Sequence, residues 1–308
     1  MPKSPRSEVE ITTETTSNGS KDICDTSLAS LQSWLKKTPH LKARPDPKSL
    51  LAFLRYCRFD LNETKKRLDS FYSLKGVFPE VLMNRRLDDH MMTLYRQGIH
   101  TISLKATSSD GPRFVISQYS KYDPKICNAN DIFKLLFMLL EILTMEEVTA
   151  GATGIVYIVD ARDVYMEQMM QYHPSLLKKT WMLMEHCFPL EFKEIHLLNV
   201  HKERRTIFNF ITSFLPKKLC TKFVLHEKAE DLYAHIPRDA MPVEYGGHNG
   251  YQFEALKHWE LIMLKYQDYF ATDDNYGTNE KLRVSIGNNL EISLLSGLNG
   301  SFRKLNVD

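Results

Sequence analysis

The chain has 308 residues, enough for about two domains and for a full hydrophobic core without disulfide or metal staples. Hydrophobic residues make up 43% and charged residues 25%, the balance of an ordinary soluble globular protein. Lys plus Arg number 40 and Asp plus Glu 38, and the resulting net charge of +2 argues against a polycation that coats nucleic acid.

The most apolar stretch, Ile132 to Met145, is interrupted by Lys134 and Glu141 and falls short of the roughly 20 residues a bilayer requires. The first residues, MPKSPRSEVE, contain no apolar run of a secretory signal. Cys24, Cys57, Cys127, Cys187 and Cys220 lie more than 30 positions apart from one another, so neither a metal knuckle nor a redox pair is visible. They read as reduced thiols of a cytosolic protein.

Residues 1–25 are rich in Ser, Thr, Lys and Glu and read as a disordered tail. Residues 26–97 read as an all-α unit. Leu28, Leu31, Trp34 and Leu35 follow helical spacing, Leu50 to Leu54 begin a helix behind Pro47, and Leu68, Phe71, Tyr72 and Lys75 mark a third. The period changes after Gly98. Ile99–Leu104 and Phe114–Tyr119 are strand-like around the turn residues Ser108 to Pro112. A long helix from Ala129 to about Val148 follows, then Gly154 to Asp160, an apolar run typical of a buried parallel strand. Ser175–Cys187 reads as a helix, Ile195–Val200 as a strand, Arg204–Leu215 as a helix and Phe223–His226 as a short strand. Residues 98–250 are therefore expected to form an α/β unit with a mixed sheet. Residues 251–308 read as a last helix over 252–270 and a largely irregular tail.

Catalytic motifs are missing: there is no phosphate loop, no dinucleotide fingerprint and no GxSxG elbow. His196 and His201 are five apart, which is not a zinc spacing on a helix. His173 precedes Pro174 at a helix start. Asp160, Arg162 and Asp163 cluster at a strand end, where α/β folds bind ligands, although a turn role fits them as well. No catalytic residue, metal ligand or cofactor site is predicted.

Two other features carry information. Ile207, Phe208, Phe210, Ile211, Phe214 and Leu215 form an aromatic-rich helical face opposite uncharged Thr206, Asn209, Thr212 and Ser213. That pattern fits a core helix, a helix covering an apolar cavity, or one touching a membrane. Charge is also segregated. Residues 36–67 hold ten basic against three acidic residues, net +7, and residues 201–222 hold six against one, net +5, which leaves −10 for the remainder. The second cluster brackets the aromatic helix, as in segments that meet anionic membranes.

Particular blocks resemble a known family. Leu50-Leu51-Ala52-Phe53-Leu54-Arg55 followed by Arg58-Phe59-Asp60, then Gly154 to Asp160, Cys187-Phe188-Pro189, Glu194-Ile195-His196-Leu197-Leu198-Asn199, Ser213 to Leu219 and Met241 to Gly247 occur in the order of the CRAL-TRIO (Sec14-like) lipid carriers. The likeness is to the tocopherol-transfer-like and retinaldehyde-binding branch and covers residues 28–250. Gly300 to Leu305 is similar to the tail of many tocopherol-transfer-like relatives. The resemblance implies an α/β fold in which a mixed sheet and surrounding helices form an apolar pocket, preceded by a small all-α domain. It implies a monomeric, non-enzymatic cytosolic carrier of one small hydrophobic ligand (a tocopherol, a retinoid or a phospholipid). A mobile lid over Lys202–Leu215 would open at anionic membranes.

By the same resemblance, Leu136, Phe137 and Leu140 would line the pocket from the long helix, and Ile155 and Val159 from the strand. Leu183, Phe188, Leu190, Phe192 and Ile195 would follow from the next helix and strand, and Ile207, Phe208, Phe210 and Ile211 from the lid. Some relatives hold phosphoinositide head groups in a basic cleft. Lys218 and Lys222 match two of those positions, Lys193 lies close, and Lys202, Arg204 and Arg205 add diffuse charge. Cys57 and Glu191 depart from the family by standing where cations are usual. A phosphoinositide-responsive adaptor without transfer activity is the alternative expectation.

Overall fold

The computed structural model describes residues 18–108, 111–200, 205, 208–209, 213 and 217–283, excepting the side chains of residues 18–20, 218 and 219. Helix α1 (Asn18–Lys36) starts inside the stretch that composition assigned to a tail. Its polar first turns extend a helix that is anchored further on by Leu31, which is fully buried. Three short helices follow: α2 (Pro47–Tyr56), α3 (Leu61–Val77) and, after a turn at Pro79–Leu82, α4 (Asp89–Arg96). Each starts on an aspartate whose carboxylate accepts from backbone amides of the first turn: Asp46 from Ser49, Asp60 from Asn62 and Glu63, Asp88 from Met91.

The hairpin read from the sequence is present as β1 (His100–Ile102) and β2 (Arg113–Gln118), antiparallel with Thr101 opposite Ile116. Helix α5 (Ala129–Glu146) opens on a capping box between Asn128 and Asp131 and is buried on nearly every face. Strands β3 (Ile155–Asp160), β4 (Phe192–Leu198) and β5 (Phe223–Leu225) then add in parallel, giving a five-stranded mixed sheet in the order β1–β2–β3–β4–β5. Strand β4 begins three residues before the expected Ile195, because Phe192 already pairs with Ile155 ahead of a register shift. Helix α6 (Pro174–Met182) starts on His173, whose Nδ1 accepts from the Leu176 amide, and ends in a π-turn over Leu183–Cys187.

Gly154 sets up the central strand. Its φ is +70°, and a Cβ there would sit 2.6 Å from the Glu191 carbonyl oxygen. Gly154→Ala is expected to cost about 1–2 kcal/mol, read as a lower urea midpoint, because it combines a left-handed backbone with a backbone clash.

Alternation along the strands separates two cores. Phe114, Ile116, Val156, Ile158 and Leu198 face a small core closed by Leu232, Ile236 and Met241. Val115, Tyr157 and Ile195 face the helices, in a cluster that runs without a break from Leu31 through α5 to Phe270. The N-terminal helices and the sheet therefore share one core. The C-terminal segment returns to the N-terminal unit: helices over Gln252–Leu264 and Gln267–Ala271 lead to Gly277–Thr278, which pairs antiparallel with Leu41–Lys42. Arg283 then binds Asp69 at 2.6 Å, so the chain is docked as far as that residue. The expected tail beyond it lies outside the described residues.

Candidate functional site

A cavity of about 230 Å³ lies between the inner sheet face and the helices. Its floor is built by period two: Tyr157 and Val159 from β3, Ile195 and Leu197 from β4, and Phe223 from β5. One wall follows helical spacing, with Leu177, Thr180, Trp181 and Met184 at i, i+3, i+4 and i+7. Tyr119, Phe133, Met169 and Tyr172 close one side, and Val200 and Phe208 line the cavity from the segment after β4. Aromatic contacts stiffen this wall: Tyr119 and Tyr172 are 5.2 Å apart, Phe133 and Tyr172 5.7 Å, and Phe208 and Phe223 5.6 Å.

Among the described residues, no charged side chain lines the cavity. An ion there would lose its hydration without a counter-charge, so the chemistry suits a neutral, mainly apolar molecule. The few polar atoms on the wall belong chiefly to Tyr119, Tyr157, Tyr172 and Thr180.

Of the expected pocket residues, Val159, Ile195 and Phe208 line the cavity. Leu136, Phe137, Leu140, Ile155, Leu183, Phe188, Leu190 and Phe192 are buried in the core cluster but are not on the cavity wall. On α5 the middle turns pack toward the N-terminal helices: Phe137 meets Phe188 at 5.4 Å, and Phe188 meets Phe71 at 6.2 Å. Phe133, one turn earlier, is the α5 residue that reaches the cavity. Phe192 stands edge-on behind Tyr157 at 5.9 Å. The side chains of Ile207, Phe210 and Ile211 lie outside the described residues. Arg205, Phe208 and Asn209 are helical, in agreement with the expected helix as far as it is described.

The expected basic cluster is engaged in local pairs. Lys193 binds Glu191 at 2.7 Å, Arg205 binds Glu227 at 2.9 Å, and Lys222 donates to the Phe192 carbonyl at 2.7 Å. Arg204 and the Lys218 side chain lie outside the described residues. The surface ion pairs are exposed enough to be exchanged for another anion at little cost.

The two residues on which catalysis could have been built do not line the cavity. Asp160 is held by Arg162 at 2.6 Å, Asn199 at 2.7 Å and Tyr245 at 2.9 Å. Burial pushes its carboxyl up, but the bonds from Arg162, Asn199 and Tyr245 outweigh this and hold it below the usual range. His196 lies on the opposite face of the sheet, bonded to His226 and Glu194 at 2.9 Å each. No cluster of three or more potential metal ligands occurs among the described residues. Among them, no helix is long and apolar enough to cross a membrane.

Comparison with known proteins agrees with this geometry. Residues 100–247 match the model of the CRAL/TRIO domain, and residues 20–92 match the Pinta-like UBA domain. The human alpha-tocopherol transfer protein-like protein is 27% identical over 239 residues, 77% of this chain and 68% of its own. Clavesin-1 of Xenopus laevis is 22% identical over 205 residues, 66% of this chain and 61% of its own. The crystal structure of Sfh5 superposes with a TM-score of 0.51 at 12% identity, covering 79% of this chain and 92% of that one. With its five-stranded mixed sheet, its helical N-terminal region and these matches, the chain carries a CRAL/TRIO domain over residues 100–247.

Proposed function

We propose that this protein is a monomeric carrier, not an enzyme, that shields one small hydrophobic molecule in the cavity and exchanges it at anionic membranes. Residues 98–250 form the lipid-binding unit in this reading and residues 26–97 its helical support. The observation that carries it is a cavity with no charged side chain among its described lining residues, lined on one side by Phe208 from a segment flanked by basic residues. The similarity to a protein named for tocopherol transfer supports a tocopherol as the cargo, with a retinoid or a phospholipid as the alternatives.

The energetics require a membrane. Burying about 300 Å² of apolar ligand surface at about 25 cal/mol per Å² is worth about 7 kcal/mol, so release into water is slow. Release becomes fast where a bilayer accepts the cargo and the aromatic lid together. The protein is then cytosolic and only transiently membrane-bound. It needs no metal or cofactor and does not bind nucleic acid.

Transfer of a fluorescent tocopherol between vesicles tests this. The carrier should move it between donor and acceptor vesicles, faster when these contain anionic lipid. The double variant K218E/K222E should slow transfer to anionic vesicles several-fold while leaving neutral vesicles unaffected. Binding to anionic vesicles with no transfer of any such lipid would favour the adaptor and contradict the carrier.

A further inference from the structure

A chain of buried hydrogen bonds ends at the cavity wall. The ring of His100 is fully buried, with Nε2 2.9 Å from the Ile132 carbonyl oxygen and Nδ1 2.6 Å from Ser117 Oγ. Ser117 Oγ is 2.8 Å from Tyr157 Oη, and Tyr157 Oη is 2.8 Å from Tyr119 Oη. Tyr157 and Tyr119 both line the cavity.

Counting hydrogens fixes the direction of this chain. A carbonyl oxygen only accepts, so His100 carries its proton on Nε2 and donates to Ile132. Burial pushes this imidazole down to about 4, only partly offset by the Ile132 bond, so it is neutral at pH 7 and Nδ1 is an acceptor. Ser117 must therefore donate to Nδ1. Its one hydrogen is then spent, so it accepts from Tyr157, which in turn accepts from Tyr119. Tyr119 has used its hydrogen, and its oxygen has only lone pairs left to offer. The reverse direction would need a proton on Nδ1 and would set the Nε2 lone pair against the Ile132 oxygen. The Tyr172 ring, 5.2 Å from that of Tyr119, packs against it.

A second observation shows that the cavity has polar capacity to spare. The hydroxyl of Thr180, a residue only 6% exposed on the same wall, has no hydrogen-bond partner among the described residues. The Tyr172 hydroxyl on this wall also has none. A hydroxyl can donate or accept, so Thr180 and Tyr172 serve several kinds of polar group, and discrimination falls to Tyr119, whose one hydrogen is already spent.

We infer that the cavity selects an apolar molecule bearing a hydroxyl, which donates to Tyr119 Oη, over the matching aldehyde or ether. The inference rests on the carrier reading and adds the chemical class of the cargo. An alcohol or phenol satisfies the acceptor left at the end of the chain. An aldehyde or ether oxygen placed there would face another lone pair.

The test is to titrate the full chain with retinol, retinal and retinyl methyl ether, and with tocopherol and its methyl ether. Quenching of tryptophan fluorescence reports binding, since Trp181 lines the cavity. Retinol and tocopherol should bind about tenfold more tightly than their ethers, and retinol more tightly than retinal. Tyr119→Phe, which removes one oxygen, should bring each alcohol down to its ether and leave the ethers unchanged. Ser117→Ala should free Tyr157 to donate to Tyr119, turn the Tyr119 hydrogen toward the cavity and let retinal, which only accepts, bind as well as retinol, whose oxygen also accepts. A packing role alone would not remove the preference while leaving retinol bound. Equal binding of alcohol and ether by the wild-type chain, or an unchanged preference in Tyr119→Phe, overturns the hydroxyl inference and leaves the carrier reading standing. Failure of all five molecules, and of a phospholipid, to bind the wild-type chain overturns both.

Discussion

Asp273→Ala is expected to destabilise the protein by about 3–5 kcal/mol, the cost of breaking a buried ion network by removing one partner. Asp273 is 2% exposed and accepts from Lys75 at 2.9 Å and from Arg85 at 2.9 and 2.8 Å, with Arg44 at 3.6 Å. Arg85, itself fully buried, also donates to Glu141 at 2.5 Å, and Glu141 accepts from Tyr269 at 2.7 Å. The network thus ties α3, the loop before α4, the long helix α5 and the C-terminal segment together. Burial pushes the Asp273 carboxyl up, but Arg85 and Lys75 outweigh it and keep the group ionised, below the usual range.

Without that carboxylate, Lys75 keeps only the Asp273 carbonyl and Arg85 only Glu141. Two buried cations would be left under-compensated. Replacing charges together should be milder, so Arg85→Met combined with Asp273→Leu is expected to cost less than the sum of the single changes. Urea unfolding of the single and double variants measures this, and a loss below about 1 kcal/mol for Asp273→Ala would contradict the account.

Acid should weaken the fold before any carboxylate titrates. His100 is fully buried, and burial lowers its pKa to about 4. His226 is brought to about 4 as well, by burial and then by His196 and His235, whose rings are 5.2 and 5.4 Å away. In the unfolded chain each imidazole titrates near 6.5. Between pH 6.5 and 4 the unfolded state binds protons that the folded state refuses, so stability falls as pH falls through this window. From pH 7 to pH 5 the loss is about 2 kcal/mol per group, on the order of 3–4 kcal/mol for the pair. Asp273 and Asp160 are shifted in the same direction, so their stabilisation is also lost as pH falls, but it persists above the ordinary carboxylate pKa and goes only in stronger acid. Urea midpoints at pH 7 and pH 5 separate the two windows. His226→Gln should remove about half of the drop, and equal stability at both pH values would contradict the assignment.

The fold was legible because its signals are local. The hairpin around Ser108 to Pro112, Pro47 at the start of α2 and the apolar run ending at Asp160 each act within a few residues. The start of β4 is not legible in the sequence because pairing, not periodicity, decides it. The cavity was harder to read. Leu136, Phe137 and Leu140 look the same in sequence whether they face a ligand or the N-terminal helices, and only the packing of Phe71 and Phe188 against them decides. Phase carries part of the signal: with Val159 and Ile195 on the floor, period two points to Tyr157 and Leu197. The hydrogen-bonded chain from His100 to Tyr119 joins residues from three strands and the turn after β2, so no sequence motif announces it. The pairing of Lys193 with Glu191 was half visible, since Glu191 is the departure from the family pattern.

Native mass spectrometry of the full chain tests the central claim most directly. After incubation with tocopherol, retinol or a phospholipid and removal of the excess, the account predicts one apolar molecule per chain, lost on extraction with organic solvent and restored on reloading. A bare chain that takes up none of these molecules would contradict it.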